Sequence, residues 1–511
     1  MLISRAFITT CLLLPGAAFA QSETDREAEM FGAPADEPGR ADSTRVETTP
    51  AKPSPEPRSS GDPKPDNREA EMFGAPGTSP SPTPPSTQPP TPSSGLLGFG
   101  GLGAESLAIG GRLLSRLETT LSEETDLKDQ FISAPNLFDV YLDGRPTDRL
   151  RVYFRGRILY TPTAGGGNQS TSDGSTDPLA GLSGQQVTRQ LDQLWMKFDV
   201  DRTYFFTIGA QPIRWSTGRV WTPTDFVNQN LLDPLALADL RTGVGAARMH
   251  VPLFDGTVNL YTLLLFDGAN TLGDVGGAFR LEGAVDTAEV ALSAATGRGQ
   301  PARVGVDLSA GVGPIELRGE VALSSEQQRL TPDGLTSATV QPWLDTLPEA
   351  PAPVDHPFVQ AMTGFEWEIS YGEDDSETLF LGAEYYYNQA GITNPEVYPA
   401  LLLTGNYRPF YVGEHYGAVF LLLPSPGDWD ASSFILTAIS NLSDRSGVVR
   451  LNTSFTVLDK LSVQPFVSGR FGPKGSEFRL ALDLPAVGDL TPEVSVPAPI
   501  ADVGIWLSLG F

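Results

Sequence analysis

From about residue 96 to the last residue the chain is written in a two-residue period, and nothing else in it constrains the fold as strongly. Leu150, Val152, Phe154, Ile158 and Tyr160 alternate with Arg149, Arg151, Tyr153, Arg155 and Arg157. The same rhythm runs through Ile315, Leu317, Val321 and Leu323, through Leu461, Val463 and Val467, and through Val503, Ile505, Leu507, Leu509 and Phe511. A strand turns successive side chains to opposite faces, so such text builds strands with one apolar and one polar face. Gly, Pro, Asp and Asn separate the segments. With 53 Gly, 44 Pro and only 19% charged residues, coiled coils and helical repeats are excluded.

Strands of this kind suit either a soluble sandwich or propeller, or a transmembrane barrel whose apolar face meets lipid. Residues 1–20 read as a secretory signal peptide: Arg5 supplies the positive start, Ala6 to Leu14 the apolar core, and Ala18-Phe19-Ala20 the cleavage box. Export, the lack of a later long apolar run and strand lengths of about ten residues favour the barrel. Tyr160, Tyr204, Trp367, Tyr371, Tyr385 and Tyr387 sit where interfacial girdles belong, and Phe511 ends the chain as a terminal aromatic signal for the outer-membrane assembly machinery. The expected fold is all-β, a single antiparallel transmembrane barrel over 96–511 in the bacterial outer membrane. Nineteen candidate strands follow Ser106, with Glu477 to Leu484 the weakest. An even number returns both ends to the periplasm, so Gly472 to Pro499 is assigned to an outer loop and 18 strands are expected, with 16 as runner-up. Asp143 to Asp148, Asp199 to Arg202 and Asp459-Lys460 read as periplasmic turns. Thr161 to Thr188, Pro212 to Asp239 and Ser324 to Pro357 read as long outer or inward-folded loops, where function concentrates.

Residues 21–95 carry no apolar period and 14 prolines between Pro50 and Pro92, so they read as a disordered periplasmic tail. Within it Arg-Glu-Ala-Glu-Met-Phe-Gly-Ala-Pro occurs twice, at Arg26 to Pro34 and Arg68 to Pro76. Arg26, Glu27, Glu29, Met30 and Phe31, with Arg68, Glu69, Glu71, Met72 and Phe73, form a candidate motif for a periplasmic protein partner that gains by capturing two copies on one arm. The bland reading is a duplication with no selected role.

Several function classes fall away. A net charge of -27 opposes nucleic-acid binding. The single cysteine, Cys11, lies in the signal, which leaves the mature chain no thiol chemistry or disulfide. His250, His356 and His415 have no metal-ligand spacing, and there is neither a nucleophile elbow nor a phosphate-cradling loop. No enzyme, metal or cofactor is expected.

The stretch from Gln211, reading Gln-Pro-Ile-Arg-Trp-Ser-Thr-Gly-Arg-Val-Trp-Thr-Pro-Thr-Asp-Phe-Val-Asn and continuing to Asp233-Pro234-Leu235 and Arg241, resembles a segment of porin-type outer-membrane barrels related to alginate-export channels. The turn Asn441-Leu442-Ser443-Asp444-Arg445-Ser446-Gly447 is similar to theirs as well. The resemblance is patchy. It implies a passive channel with a charged constriction, without implying alginate, and the tail with its doubled motif departs from it.

If polar faces point inward, Arg112, Arg116, Arg149, Arg151, Arg155 and Arg157 line one basic sector of the lumen. Glu366, Glu368 and Glu384 lie roughly nine strands away and form an acidic wall opposite, a transverse field of the kind that sets selectivity. Solvated or plugged charges are the plainer alternative. The constriction is expected in the loop with Arg214, Arg219, Asp225 and Arg241 to hold charge and Trp215 and Trp221 to stack on sugar rings. The functional expectation is a porin-like channel for hydrophilic, anionic or polysaccharide solutes. The alternative is an outer-membrane anchor of an envelope-spanning machine for secretion, surface polysaccharide or gliding motility, recruiting partners through the tail.

Overall fold

The computed structural model describes residues 107–162, 187–228, 232–236, 240–297, 300–325, 327–328, 353–354, 357–372, 377–403, 407–484 and 494–511. The signal, the tail and its doubled motif, and His356 lie outside them.

The alternating segments all become strands. They are β1 (Leu107–Ser122), β2 (Asn136–Thr147), β3 (Leu150–Tyr160), β4 (Val187–Val200), β5 (Tyr204–Gln211) and β6 (Val244–Leu253). Next come β7 (Val258–Leu265), β8 (Gly276–Val285), β9 (Ala288–Gly297), β10 (Gln300–Val312), β11 (Ile315–Ser324) and β12 (Phe358–Tyr371). The ring is completed by β13 (Glu377–Asn388), β14 (His415–Pro424), β15 (Ser432–Asn441), β16 (Ser446–Leu458), β17 (Leu461–Phe471) and β18 (Pro499–Gly510). Each pairs antiparallel with its neighbours, and β18 closes on β1 from Arg112↔Gly510 to Ser122↔Pro499. The sheet has 19 strands, but Phe131–Ser133 only extends the end of β1, which leaves the expected 18 in the ring. Closure leaves no unpaired edge, the condition for a sheet to cross a bilayer.

The outside of the ring is apolar. Leu113 and Leu117 on β1, Val152 and Ile158 on β3, Leu317 and Val321 on β11, and Val503, Leu507 and Leu509 on β18 are exposed, while Arg116, Arg157, Glu320 and Asp502 between them are buried. Exposed leucine and valine around a closed ring, against buried charge within, is the inverse of a soluble protein and the pattern of a membrane barrel. Tyr160, Tyr204, Trp367 and Tyr385 all face outward near strand ends. Phe511 lies on the same exterior: its backbone exchanges hydrogen bonds with Gly111 (3.1 and 3.0 Å), and its ring covers Gly111 and stacks on Phe138 at 5.8 Å.

The connections divide by length. Asp148-Arg149, Asp201 to Thr203 and Asp459-Lys460 are tight turns at one rim, and the strand ends that flank the long connections, Tyr160 and Val187, Gln211 and Val244, Ser324 and Phe358, and Phe471 and Pro499, lie at the other. Leu107 pairs with Gly144 beside the first tight turn, so the chain enters the ring, and ends, at the short-turn rim. The weak candidate strand after Gly472 is a short 3-10 turn, Glu477–Arg479, followed by the small pair Leu482–Leu484 and Val494–Val496 within the loop. The architecture is a closed antiparallel barrel of 18 strands with an apolar exterior.

Candidate functional site

Two halves of the inner wall are built differently. On β1 to β4 the inward positions carry the expected arginines, and each has an acid beside it. Arg157 Nε donates to Asp139 at 2.9 Å and its Nη2 to Asp192 at 3.5 Å, while Arg112 lies 3.5 Å from Asp139. Arg151 forks onto Asp143 (2.8 and 2.9 Å), and Arg155 pairs with Asp192. Arg116 pairs with Glu118 and lies over Trp506, 4.7 Å from the ring. Arg149 belongs to the turn before β3, half-exposed at the mouth and bound to Asp199 at 2.6 Å. The expected basic wall is therefore a ladder of alternating sign. Guanidinium groups crowded on one wall repel, and carboxylates on the neighbouring strands offset that repulsion.

Asp192 depends on an irregularity. The β3–β4 register slips between Arg155/Gly156, so Gln193 opposes Arg155 and Leu191 opposes Gly156, leaving Asp192 as the extra residue of a bulge. A bulge re-aims a side chain, here bringing two consecutive residues inward and setting Asp192 between Arg155 and Arg157.

The opposite half, β11 to β13, presents acids, but they do not line water. Glu320, Glu366 and Glu384 hold residues 216–224 of the loop 212–243, which enter the barrel. Glu320 accepts from Ser216 Oγ (2.6 Å), the amides of Thr217 and Gly218 (2.8 Å each), the Thr224 amide (3.1 Å) and Thr224 Oγ1 (2.7 Å). Glu384 accepts from the amides of Arg219 (2.6 Å), Val220 (2.9 Å) and Trp221 (3.3 Å). Arg219 reaches Glu366 at 3.2 Å, and Arg318 stands 3.8 Å from the same carboxylate. Glu368 follows Glu366 on the inward phase, nearer the short turns. A loop folded into a barrel must satisfy backbone amides that water no longer reaches, and buried carboxylates supply the acceptors.

The two tryptophans expected to stack on sugar are core instead. Trp221 is 0% exposed, stacks on Tyr386 at 5.5 Å and donates to the Phe410 carbonyl at 2.9 Å. Trp215, 4% exposed, packs with Ile213, Tyr261 and Leu263 of the β6–β8 wall. Arg214 donates to the Gly218 carbonyl at 2.7 Å, and Asp225 is held by Arg241 at 3.0 Å and Asn228 at 2.8 Å. These two pairs brace the loop internally. Its return limb reaches the other wall, where Arg157 Nη1 donates to the Leu240 carbonyl (2.8 Å) and the Gly243 amide to the Asp192 carbonyl (2.9 Å), while Arg450 Nη1 of β16 donates to the Leu235 carbonyl (3.0 Å). The loop thus spans the bore.

On β14 to β16 many inward side chains are apolar, including Tyr416, Ala418, Phe420, Leu422, Ile439 and Val448, and they pack with Val220, Trp221, Phe410 and Phe478. Three long-rim connections meet there around one carboxyl. Glu477 accepts from Tyr416 Oη (2.7 Å), Asn441 Nδ2 (2.8 Å) and the Phe410 amide, while its own amide donates to Asp444 at 2.7 Å. Burial pushes the Glu477 carboxyl up to about 8; hydrogen bonds from Tyr416, Phe410 and Asn441 oppose the shift, and nearby Asp444 adds to it. The Asn441 to Gly447 turn singled out in the sequence is the seat of this knot. Asn441 Oδ1 accepts from the Ser443 amide (2.9 Å) and Asp444 Oδ1 from the Ser446 amide (2.9 Å), and Arg445 adopts φ 62° between them.

Sequence reading missed Asp139, Asp192, Glu320 and Glu477. The first carried a signal, since Asp139 is in phase with the inward face of β2; Glu477 gave none, in a segment weakly patterned as strand. His250 is a core residue, bound to Asn259 at 2.9 Å and stacked on Tyr261 at 4.5 Å. His415 faces outward, 2.7 Å from Tyr385 Oη, as part of the girdle.

No protein-family model matches the sequence, and comparison with curated proteins finds no match. Solved barrels do resemble the fold. The outer membrane protein opdK of Pseudomonas aeruginosa is 9% identical over 80% of this chain and 99% of its own, with a TM-score of 0.44. OprB of Pseudomonas putida in its high-pH structure is 13% identical over 80% of this chain and 94% of its own (0.45), and Pseudomonas aeruginosa OccK5 is 9% identical over 80% and 98% (0.45). Identities and scores this low say nothing about cargo, which has to be read from the lumen itself.

Proposed function

We propose that the protein is a passive, porin-like channel of the outer membrane that admits small hydrophilic solutes, favours anions and narrows at the loop 212–243. One observation carries this reading: the ion pairs Arg112–Asp139, Arg151–Asp143, Arg155–Asp192 and Arg157–Asp139 run along the wall, between neighbouring strands. Lateral pairing keeps these charges on their own wall, so what crosses between the walls is the loop 212–243, which narrows the bore. The inward positions of β1 to β4, with Arg149 of the turn before β3, hold Arg112, Arg116, Arg151, Arg155, Arg157 and Lys197 against Glu118, Asp139, Asp143, Asp192 and Asp199, an excess of positive charge. Such an excess in a confined lumen favours anions. The inward loop argues for small solutes over a wide polymer, and no catalytic constellation is found among the described residues. Planar-bilayer recording of the purified protein under a salt gradient tests the reading. Discrete openings with a reversal potential on the anion side support it, and a barrel that never conducts overturns it.

A second reading has its own support. The first strand starts at the short-turn rim, which faces the periplasm in such barrels, and this supports reading the doubled Met-Phe motif before it as a periplasmic element. Two motif copies on one arm suit a periplasmic partner, making the barrel also an envelope anchor. Removing residues 22–95 from the full chain and comparing co-purified periplasmic proteins tests it; an unchanged set counts against a docking role.

A further inference from the structure

On the open wall, inward positions near the short turns carry aromatic rings on three consecutive strands: Tyr141 on β2, Tyr153 on β3 and Trp195 on β4. Tyr141 and Tyr153 have ring centroids 6.0 Å apart and planes within 13°; Tyr153 and Trp195 follow at 5.2 Å and 17°. Gly110 of β1 stands opposite Tyr141 in register, and the Tyr141 ring occupies the space a side chain there would fill, so it lies along the wall. Beside this strip the Arg151 guanidinium sits 5.4 Å from the Trp195 ring while forked onto Asp143, and Trp195 Nε1 donates to Gln193 Oε1 at 3.1 Å.

All three rings are partly exposed, unlike Trp215 and Trp221, and neither phenol has a hydrogen-bond partner among the described residues. An aromatic strip in a water-facing wall leaves apolar surface hydrated, which opposes its presence unless something covers it. The planar groups at its edge say what fits. C–H faces of a pyranose lie on aromatic rings, and its hydroxyls take the forked donors of a guanidinium, the lone pairs of a carboxylate and an amide, and the two phenols. Asp143 offsets the charge of Arg151, with Arg145 3.7 Å from the same carboxylate, and the forked pair offers donors and acceptors to hydroxyls. The spacing from ring to ring suits successive sugars of a short chain.

We infer that Tyr141, Tyr153 and Trp195, with the Arg151–Asp143 pair, form a subsite for neutral pyranose sugars at the short-turn mouth of the lumen. It deepens the channel reading and rests on it, by naming one class of solute the lumen would hold. The test is a fluorescence and calorimetric titration of the full-length protein in detergent with glucose and linear glucose oligomers. The expected result is saturable binding, at least tenfold tighter for the trimer than for glucose. It should weaken at least tenfold in Tyr153→Ala and in Trp195→Ala, and stay within about twofold in Trp195→Phe, which keeps the ring. Arg151→Lys, which retains charge and loses the fork, should weaken it severalfold and serves where a ring deletion fails to fold. Absence of saturation up to the trimer, an equal response to size-matched polyethylene glycol, or unchanged affinity in the folded variants would overturn the subsite. Bilayer recording of the same preparation separates the two claims. Sugar binding without conductance removes the channel and supports the subsite, whereas conductance without sugar binding removes the subsite alone.

Discussion

The β1–β4 wall and the β11–β16 wall face each other across one bore, and the same alternating text made them opposites. On the first, arginines pair sideways with acids on neighbouring strands, and inward residues near the short turns stay partly exposed. On the second, Glu320, Glu366 and Glu384 point at a loop, and Trp221, Tyr386, Tyr416, Phe410 and Phe478 bury one another. The lesson is that an inward polar residue has two uses in a barrel. It can hold water at the wall, or it can hold backbone in the bore, and only its partners tell which.

The largest effect should come from breaking the covered wall at its acids. Glu320→Ala strips the acceptor from Ser216, Thr217, Gly218 and Thr224, and leaving several buried donors unmet costs about 3 kcal/mol or more. Urea unfolding should show that loss, and bilayer recordings a larger, noisier conductance as the loop leaves the bore. The same change at Asp143 on the exposed wall should cost far less. Trp221→Ala comes next or close to it: removing a fully buried indole costs about 3–5 kcal/mol, and Trp221→Phe should recover most of it.

The knot around Glu477 makes the comparison sensitive to pH. A carboxyl whose pKa is raised by docking favours the docked loop fully below its ordinary value near 4.5; that advantage is lost as pH rises toward about 8 and is gone above it. Hydrogen-exchange protection of the Phe478 and Arg479 amides should therefore fall between pH 5 and 8 in the native protein and stay level in Glu477→Gln. Equal pH profiles in the two proteins would remove Glu477 from that role. The smallest effect belongs to the exposed wall. Arg112, 28% exposed and 3.5 Å from Asp139, should shift the reversal potential toward cations by a modest amount when changed to Ala, with stability altered by less than about 1 kcal/mol.

Much of this fold was legible in the sequence because a strand encodes its two faces residue by residue. Val152 and Arg157 announce outside and inside without knowledge of any neighbour, and the even strand number follows from both ends sharing a rim. Partnership is not written that way. The basic wall expected from Arg155 and Arg157 became a ladder because Asp192 is carried inward by a one-residue bulge, which a strict period-two reading places on the other face. Trp215 and Trp221 invited a sugar-stacking reading because a loop with two indoles looks the same whether it coats a mouth or packs a core. What decides between them is Glu320 and Glu384, about 100 and 160 residues further on, whose lone acids give no sign that they will accept loop amides. The ring strip was hidden for the same reason, since Tyr141, Tyr153 and Trp195 meet only across strands.

The mature chain lacks cysteine if its signal is cleaved, so single thiols can report on the bore one position at a time. The most direct measurement is the bilayer current of Tyr153→Cys and Ala418→Cys as a charged, water-soluble thiol reagent is added. A stepwise drop in current at position 153, with none at 418, is the expected result. Modification at 418 with no effect at 153, or an absence of current from either folded protein, would contradict a water path along the β1–β4 wall.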